Sequence, residues 1–89
     1  MAGRRVMQDA APAFVESRHA RVRQAERSVP REAKAHVLAN YGTSHPAPYR
    51  QGATRTIIYI GDWQGRRLKV YVEENSSPPK IKTVAWEGE

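Results

Sequence analysis

Cysteine is absent from this chain of 89 residues. Its absence excludes disulfide bonds, thiolate catalysis and every zinc site that needs sulfur ligands. The three histidines, His19, His36 and His45, show no short spacing of the kind that builds a metal site. We therefore expect neither a metal nor any other cofactor.

Long apolar segments are absent as well. The longest apolar stretch, residues 56–60, is far shorter than the roughly 20 residues that span a bilayer. The basic N-terminus does not lead into an apolar signal segment. The sequence thus predicts a cytoplasmic protein that has no membrane segment.

Acidic residues are missing from a long central part of the chain. None occurs between Glu32 and Asp62, a region that holds several basic and histidine side chains. These are Lys34, His36, His45, Arg50 and Arg55. The formal net charge is +6 and the isoelectric point is about 10.2, which favours nucleic acid, an acidic protein or an anionic membrane surface as partner. Net charge alone leaves these three partners open.

The length of the chain limits it to one domain with a small core, since a domain of this size buries only about 60–65% of the surface of its unfolded chain. Residues 1–13 mix Arg, Gly, Ala and Pro without a period, and we expect them to form a flexible basic arm. Residues 14–89 are expected to form a single α+β domain.

Two helices are predicted in the first half of that domain. A short, strongly cationic helix is expected over residues 17–26, with Ser17 as its N-cap. A second helix restarts where Ser28 can cap it and Pro30 is tolerated in the first turn. Its apolar face continues at helical spacing to about Asn40.

The second half of the domain alternates polar and apolar residues, which is typical of strands. Strands are expected over residues 55–60, 66–73 and 80–86, with a turn at residues 61–65 between the first two. Residues 43–52 are expected to be a loop or an edge strand. The predicted fold is two N-terminal helices packed on a three- to four-stranded antiparallel β-sheet.

One row of side chains on the first helix is suited to phosphodiester chemistry. Because a helix has 3.6 residues per turn, His19, Arg23 and Arg27 share one face. An imidazole can exchange a proton near neutral pH while guanidinium groups hold phosphate oxygens. The alternative is a solvated basic face on which His19 only caps or packs.

The segment 14–29 reads FVESRHARVRQAERSV. Its His19-Ala20 pair, with arginines four and eight residues after the histidine and then Val29, resembles the opening signature of the domain-of-unknown-function family 4258. In that family a second helix and an antiparallel sheet follow, and the last strand has an apolar-Thr-apolar pattern like that of residues 81–86. The resemblance extends over residues 14–86 and implies the same fold.

That family resembles the BrnT toxins and, more distantly, the RelE-like ribonucleases of toxin–antitoxin systems. The resemblance implies a metal-independent endoribonuclease that uses the 2′-hydroxyl of RNA, and a small acidic or DNA-binding antitoxin as partner. In such a reaction His19 would be the base or the acid, and Arg23 and Arg27 would hold the phosphate. Tyr59 or Tyr71 would supply the second proton-transfer group.

Further contacts with nucleic acid are expected from the start of the first helix and from the sheet. These side chains are Arg18, Arg50, Arg55, Lys69 and Trp63. Trp63 is predicted to lie in the hairpin turn, where burial is difficult. Trp86, near the end of the last strand, is predicted to belong to the core.

Two other interpretations remain open at the level of the sequence. The first is a non-catalytic module that binds nucleic acid or an acidic protein. The second, which is compatible with either function, is a homodimer in which the final strand pairs across an edge, because residues 81–86 carry a single charge and protect an exposed edge poorly.

Overall fold

The computed structural model describes residues 14–48, 52 and 54–88. The described residues form two helices and five strands. In chain order these are β1 (Val15–Glu16), α1 (Arg18–Glu26), α2 (Arg31–Asn40), β2 (Thr43–Pro46), β3 (Thr56–Trp63), β4 (Arg66–Glu73) and β5 (Lys80–Trp86). The α+β class is confirmed, whereas the predicted arm, residues 1–13, lies outside the described residues.

The strands form one mixed sheet in the order β1-β5-β4-β3-β2. The predicted antiparallel meander β3-β4-β5 is confirmed. Of the two alternatives for residues 43–52, a loop or an edge strand, the edge strand is found in β2. Three parts of the fold prediction are wrong: a strand precedes the helices, five strands replace three or four, and the sheet is mixed rather than antiparallel. Strand β1 is parallel to β5 and only two residues long, so it shows no alternation from which a strand could be predicted.

The two helices begin in different ways. Helix α1 has the predicted N-cap, since the Ser17 Oγ accepts a hydrogen bond from the Ala20 N–H at 3.0 Å. Helix α2 has Pro30 as its N-cap and no side-chain hydrogen bond there. The predicted capping role of Ser28 is therefore wrong, because this residue forms the turn between the helices with a φ of 54°.

The β3–β4 hairpin is tighter than predicted. Its turn contains only Gln64 and Gly65, whose φ angles of 50° and 83° are both positive, as a two-residue turn that follows the strand twist requires. Trp63 is consequently the last residue of β3 rather than a turn residue. It is half-buried on the helix side of the sheet, with its ring 5.5 Å from that of His36 in an edge contact.

The core lies between the helices and one face of the sheet. Strands β4 and β5 supply most of it, through Leu68, Val70, Val72, Ile81, Val84 and Trp86. The helices add Ala20, Ala33 and Val37. The prediction for Trp86 is confirmed, since the residue is 3% exposed. We call the opposite surface of the sheet, to which alternate residues of β4 point, the outer face.

Helix α1 covers the edge of β5 that β1 leaves open. The Ser17 Oγ donates to the Lys82 carbonyl at 3.2 Å, and the Arg27 guanidinium donates to the Val84 carbonyl at 2.8 Å. In the reverse direction, the Trp86 indole N–H donates to the Arg27 carbonyl at 2.8 Å. The edge that a homodimer through β5 would use is thus occupied within the chain.

A buried ion pair attaches β1 to α2. Lys34 is fully buried, and its ammonium contacts one carboxylate oxygen of Glu16. The other oxygen of this carboxylate lies 3.6 Å from the Arg31 guanidinium. The Phe14 ring lies beneath both cations, 4.2 Å from the Arg31 guanidinium carbon and 5.6 Å from the Lys34 ammonium. Lys34 therefore does not belong to a basic surface, although the sequence placed it in a basic tract.

This burial predicts a specific dependence of stability on pH. Desolvation lowers the pKa of Lys34 from 10.5 to about 8, so between these values the unfolded chain binds more protons than the folded one. The free energy of unfolding should therefore rise with pH over this interval, by up to about 3 kcal/mol. Urea denaturation at pH 8 and at pH 10.5 measures it, with Lys34→Met as the control that lacks the rise. Equal changes for both proteins would contradict the assignment.

Candidate active site

The predicted row on α1 is only partly assembled. His19 and Arg23 lie one turn apart, and the Arg23 Nε donates to the His19 Nε2 at 3.4 Å. Arg23 also forms an exposed ion pair with Glu26, at 2.9 Å. Arg27 instead directs its guanidinium to the β5 carbonyl of Val84. The structure therefore brings together His19 and Arg23, while Arg27 stabilises the contact between α1 and β5.

His19 lies beside an open groove of about 570 Å³ on the outer face. The groove runs from the start of α1 across the ends of β5 and β4 to the start of β3. Its lining residues are Ser17, His19, Thr54, Thr56, Tyr71, Glu73, Lys80, Lys82 and Thr83. The groove thus contains a histidine and a tyrosine, which are side-chain types able to exchange protons, together with two lysines.

A β-bulge places Lys82 in this groove. Tyr71 pairs with Thr83 while its neighbour Val72 pairs with Ile81, so Lys82 is an extra residue in β5. Lys82 and Thr83 are both half-buried, and the buried residues Ile81 and Val84 stand on either side of them. Bulges commonly redirect a side chain in this way next to functional sites.

The Lys82 ammonium connects β5 to the start of β3. It reaches from β5 across β4 and donates to three oxygens before and within β3: the Thr54 carbonyl at 3.3 Å, the Thr54 Oγ1 at 2.9 Å and the Thr56 Oγ1 at 2.8 Å. An ammonium group has three hydrogens, so these bonds use all of them. Lys82 therefore contributes a fixed positive charge to the groove rather than a free donor.

Strand β4 contributes Tyr71 and Glu73. These half-buried residues alternate with the buried Leu68, Val70 and Val72, which places them on the outer face. The other tyrosine considered as a proton-transfer group, Tyr59, lies on the helix side. There it contacts Tyr41 edge to face, with ring centroids 4.7 Å apart, and it lines a separate cavity of about 310 Å³. The structure thus brings Tyr71, and not Tyr59, to the groove of His19.

The residues predicted to contact nucleic acid are spread over the molecule. Arg18 is exposed at the start of α1, beside His19, and Lys69 faces outward on β4 two residues from Tyr71. Arg55 is exposed between the groove residues Thr54 and Thr56. Trp63 packs at the far end of β3 against the core. Arg50 lies outside the described residues.

Sequence reasoning missed Lys82 as a groove residue, although the sequence contains a signal for it. The buried residues of β5 are Ile81, Val84 and Trp86, spaced by three and then two residues. Strict alternation requires a spacing of two throughout, and one extra residue is the signature of a bulge. The spacing therefore identifies the position of the bulge next to Lys82.

Comparisons with known proteins identify no relative of this chain. No protein-family model matches the chain, and no curated protein or solved structure matches it. Within the described ranges no three His, Asp or Glu side chains are grouped as a metal site would require. No helix in that part of the chain is long and apolar enough to cross a membrane.

The hydrogen bonds of Lys82 predict a difference in stability between two lysine variants. Lys82→Met keeps the apolar stem and removes three donors, so the free energy of unfolding should fall by about 1–3 kcal/mol. Lys69 faces outward on β4, and no hydrogen bond or ion pair of its side chain is seen among the described residues. Lys69→Met should therefore change the free energy of unfolding by less than about 0.5 kcal/mol. Urea denaturation measures both. A Lys82 variant as stable as the Lys69 variant would contradict the role of the ammonium.

Proposed function

We propose that this protein is a metal-independent endoribonuclease that cleaves RNA in the groove of His19. The observation that carries the proposal is the position of His19, which shares one open groove with Tyr71 and with the ammonium groups of Lys80 and Lys82. The groove volume of about 570 Å³ lies within the range of ligand sites, about 300–1,000 Å³. The net charge of +6 attracts the RNA backbone.

The reaction needs two proton transfers and a cationic environment. The 2′-hydroxyl oxygen attacks the adjacent phosphorus and loses its proton to a base, while the bond from phosphorus to the 5′-oxygen breaks and that oxygen receives a proton from an acid. His19 takes one of these two roles and Tyr71 the other. Lys80 and Lys82 stabilise the charge that develops on the phosphate oxygens. The products are a 2′,3′-cyclic phosphate and a 5′-hydroxyl end.

Arg23 supports His19 in this scheme. Its Nε donates to the His19 Nε2 at 3.4 Å, which orients the imidazole at the rim of the groove. An approaching phosphate would compete with Glu26, whose ion pair with Arg23 is exposed and hence weak. The Arg23 guanidinium can therefore exchange a surface carboxylate for the substrate.

Cleavage of a single-stranded RNA in the presence of EDTA tests the proposal. His19→Ala should reduce the rate by about 10²–10⁴-fold, as expected when a proton-transfer group is removed, while the circular dichroism spectrum is unchanged. His45→Ala is the matched control, because His45 is an exposed histidine of β2 outside the groove and its loss should leave the rate unchanged. Equal cleavage by the two variants would exclude His19 from the mechanism.

A non-catalytic RNA-binding module is the second candidate, and the arginines favour it. Arg27 donates to a backbone carbonyl of β5 and Arg23 is paired with Glu26, so neither guanidinium is dedicated to a transition state. RNA would then bind and remain intact. Arg23→Ala should weaken binding uniformly across sequences and reduce the slope of log affinity against log salt by about one unit.

Fluorescence anisotropy at several salt concentrations, with gel analysis of the same samples, measures binding and integrity together. Glu26→Ala is the control, since it releases Arg23 without removing its charge and should not weaken binding. Cleaved RNA would contradict this second candidate, and binding that ignores salt would contradict both.

A further inference from the structure

Glu73 is an unusual residue for a groove that attracts RNA. Its carboxylate is half-buried on the outer face and lines the groove together with Lys80 and Lys82. Neither lysine forms an ion pair with it in the described part of the chain. The three hydrogens of the Lys82 ammonium are already bound to oxygens of Thr54 and Thr56. The Glu73 oxygens are therefore open to donors from a ligand.

An aromatic ring lies beside this carboxylate. Tyr71 is two residues before Glu73 on the same strand and the same face, a separation of about 7 Å along the strand. Proteins recognise single-stranded RNA by stacking aromatic side chains on its bases and by forming hydrogen bonds with the Watson–Crick edges of those bases. A base stacked on Tyr71 thus has the two carboxylate oxygens of Glu73 within reach of its edge.

The chemistry of a carboxylate restricts which base it can bind. An ionised carboxylate only accepts hydrogen bonds. Guanine presents two adjacent donors, N1–H and the N2 amino group, which match the two oxygens. Adenine and cytosine place an acceptor nitrogen beside their amino group, and uracil has one N–H between two carbonyl oxygens, so each of these would put lone pairs against the carboxylate.

We propose that the groove selects guanine, with Tyr71 stacking on the base and Glu73 accepting from N1–H and N2–H. The inference rests on the proposed function in that it takes RNA as the ligand of the groove. A carboxylate repels phosphates and reduces affinity for RNA in general. A role in selecting the base explains why a carboxylate lies in this groove despite that repulsion.

Binding of short oligonucleotides tests the inference without requiring cleavage. The probes are oligouridylates with 2′-fluoro sugars, which lack the attacking hydroxyl, and they carry guanine, hypoxanthine or adenine at one central position. Hypoxanthine is guanine without the N2 amino group. Fluorescence anisotropy should give about tenfold tighter binding of the guanine probe than of the adenine probe, as one well-placed pair of hydrogen bonds provides. The hypoxanthine probe, which keeps N1–H alone, should bind with an affinity between these two.

Three variants separate the role of Glu73 from general effects. Glu73→Gln should lose the preference for guanine, because an amide offers one acceptor and one donor and no longer matches two adjacent donors. The matched control Glu74→Gln removes the neighbouring carboxylate, which lies in the following turn outside the groove, and should keep the preference. Tyr71→Leu should weaken binding of all three probes while the ratio between guanine and hypoxanthine persists.

The outcomes distinguish this inference from the proposed function. Equal binding of the guanine and hypoxanthine probes by the natural protein would overturn guanine selection even if RNA is cleaved. A guanine preference that depends on Glu73, found with RNA that stays intact, would support the selection and overturn the ribonuclease. No binding of any probe, together with no cleavage of RNA, would overturn both.

Discussion

Helix α1 lies along the edge of β5, and this contact sets the position of His19 in the groove. A strand edge exposes backbone carbonyls that need donors. Ser17 and Arg27 supply donors from the two ends of α1, and Trp86 returns a hydrogen bond to the helix end. Because Ser17 is also the N-cap, the same residue starts the helix and fixes it to the strand. His19 is thereby held at the rim of the outer face.

The bulge in β5 complements this arrangement from the side of the sheet. One extra residue turns Lys82 toward Thr54 and Thr56, and the ammonium then holds the start of β3 against the ends of β4 and β5. Tyr71 and Glu73 lie between these attachment points on the outer face. A histidine, a tyrosine, a carboxylate and the bound Lys82 ammonium are thus collected on one side of the sheet, while the core occupies the other.

Long periodic elements were predictable from the sequence, and short ones were not. The α+β class, α1 with its Ser17 cap, and strands β4 and β5 follow from spacing and capping rules that act locally. Strand β1 has two residues and is held by its parallel pairing with β5, a long-range contact that local patterns do not record. The site shows the same limit. Periodicity identified the row on α1, but the hydrogen bond of Arg27 to a β5 carbonyl and the groove that His19 shares with Tyr71 depend on tertiary structure.

The central claim is that RNA binds on the outer face beside His19. Backbone amide shifts in NMR spectra, recorded while a 2′-fluoro RNA trinucleotide is added, test it most directly. If RNA binds there, the largest changes fall on the groove, at Ser17, His19, Tyr71, Lys82 and Thr83. Changes concentrated instead around Tyr41 and Tyr59, in the cavity on the helix side, would contradict it.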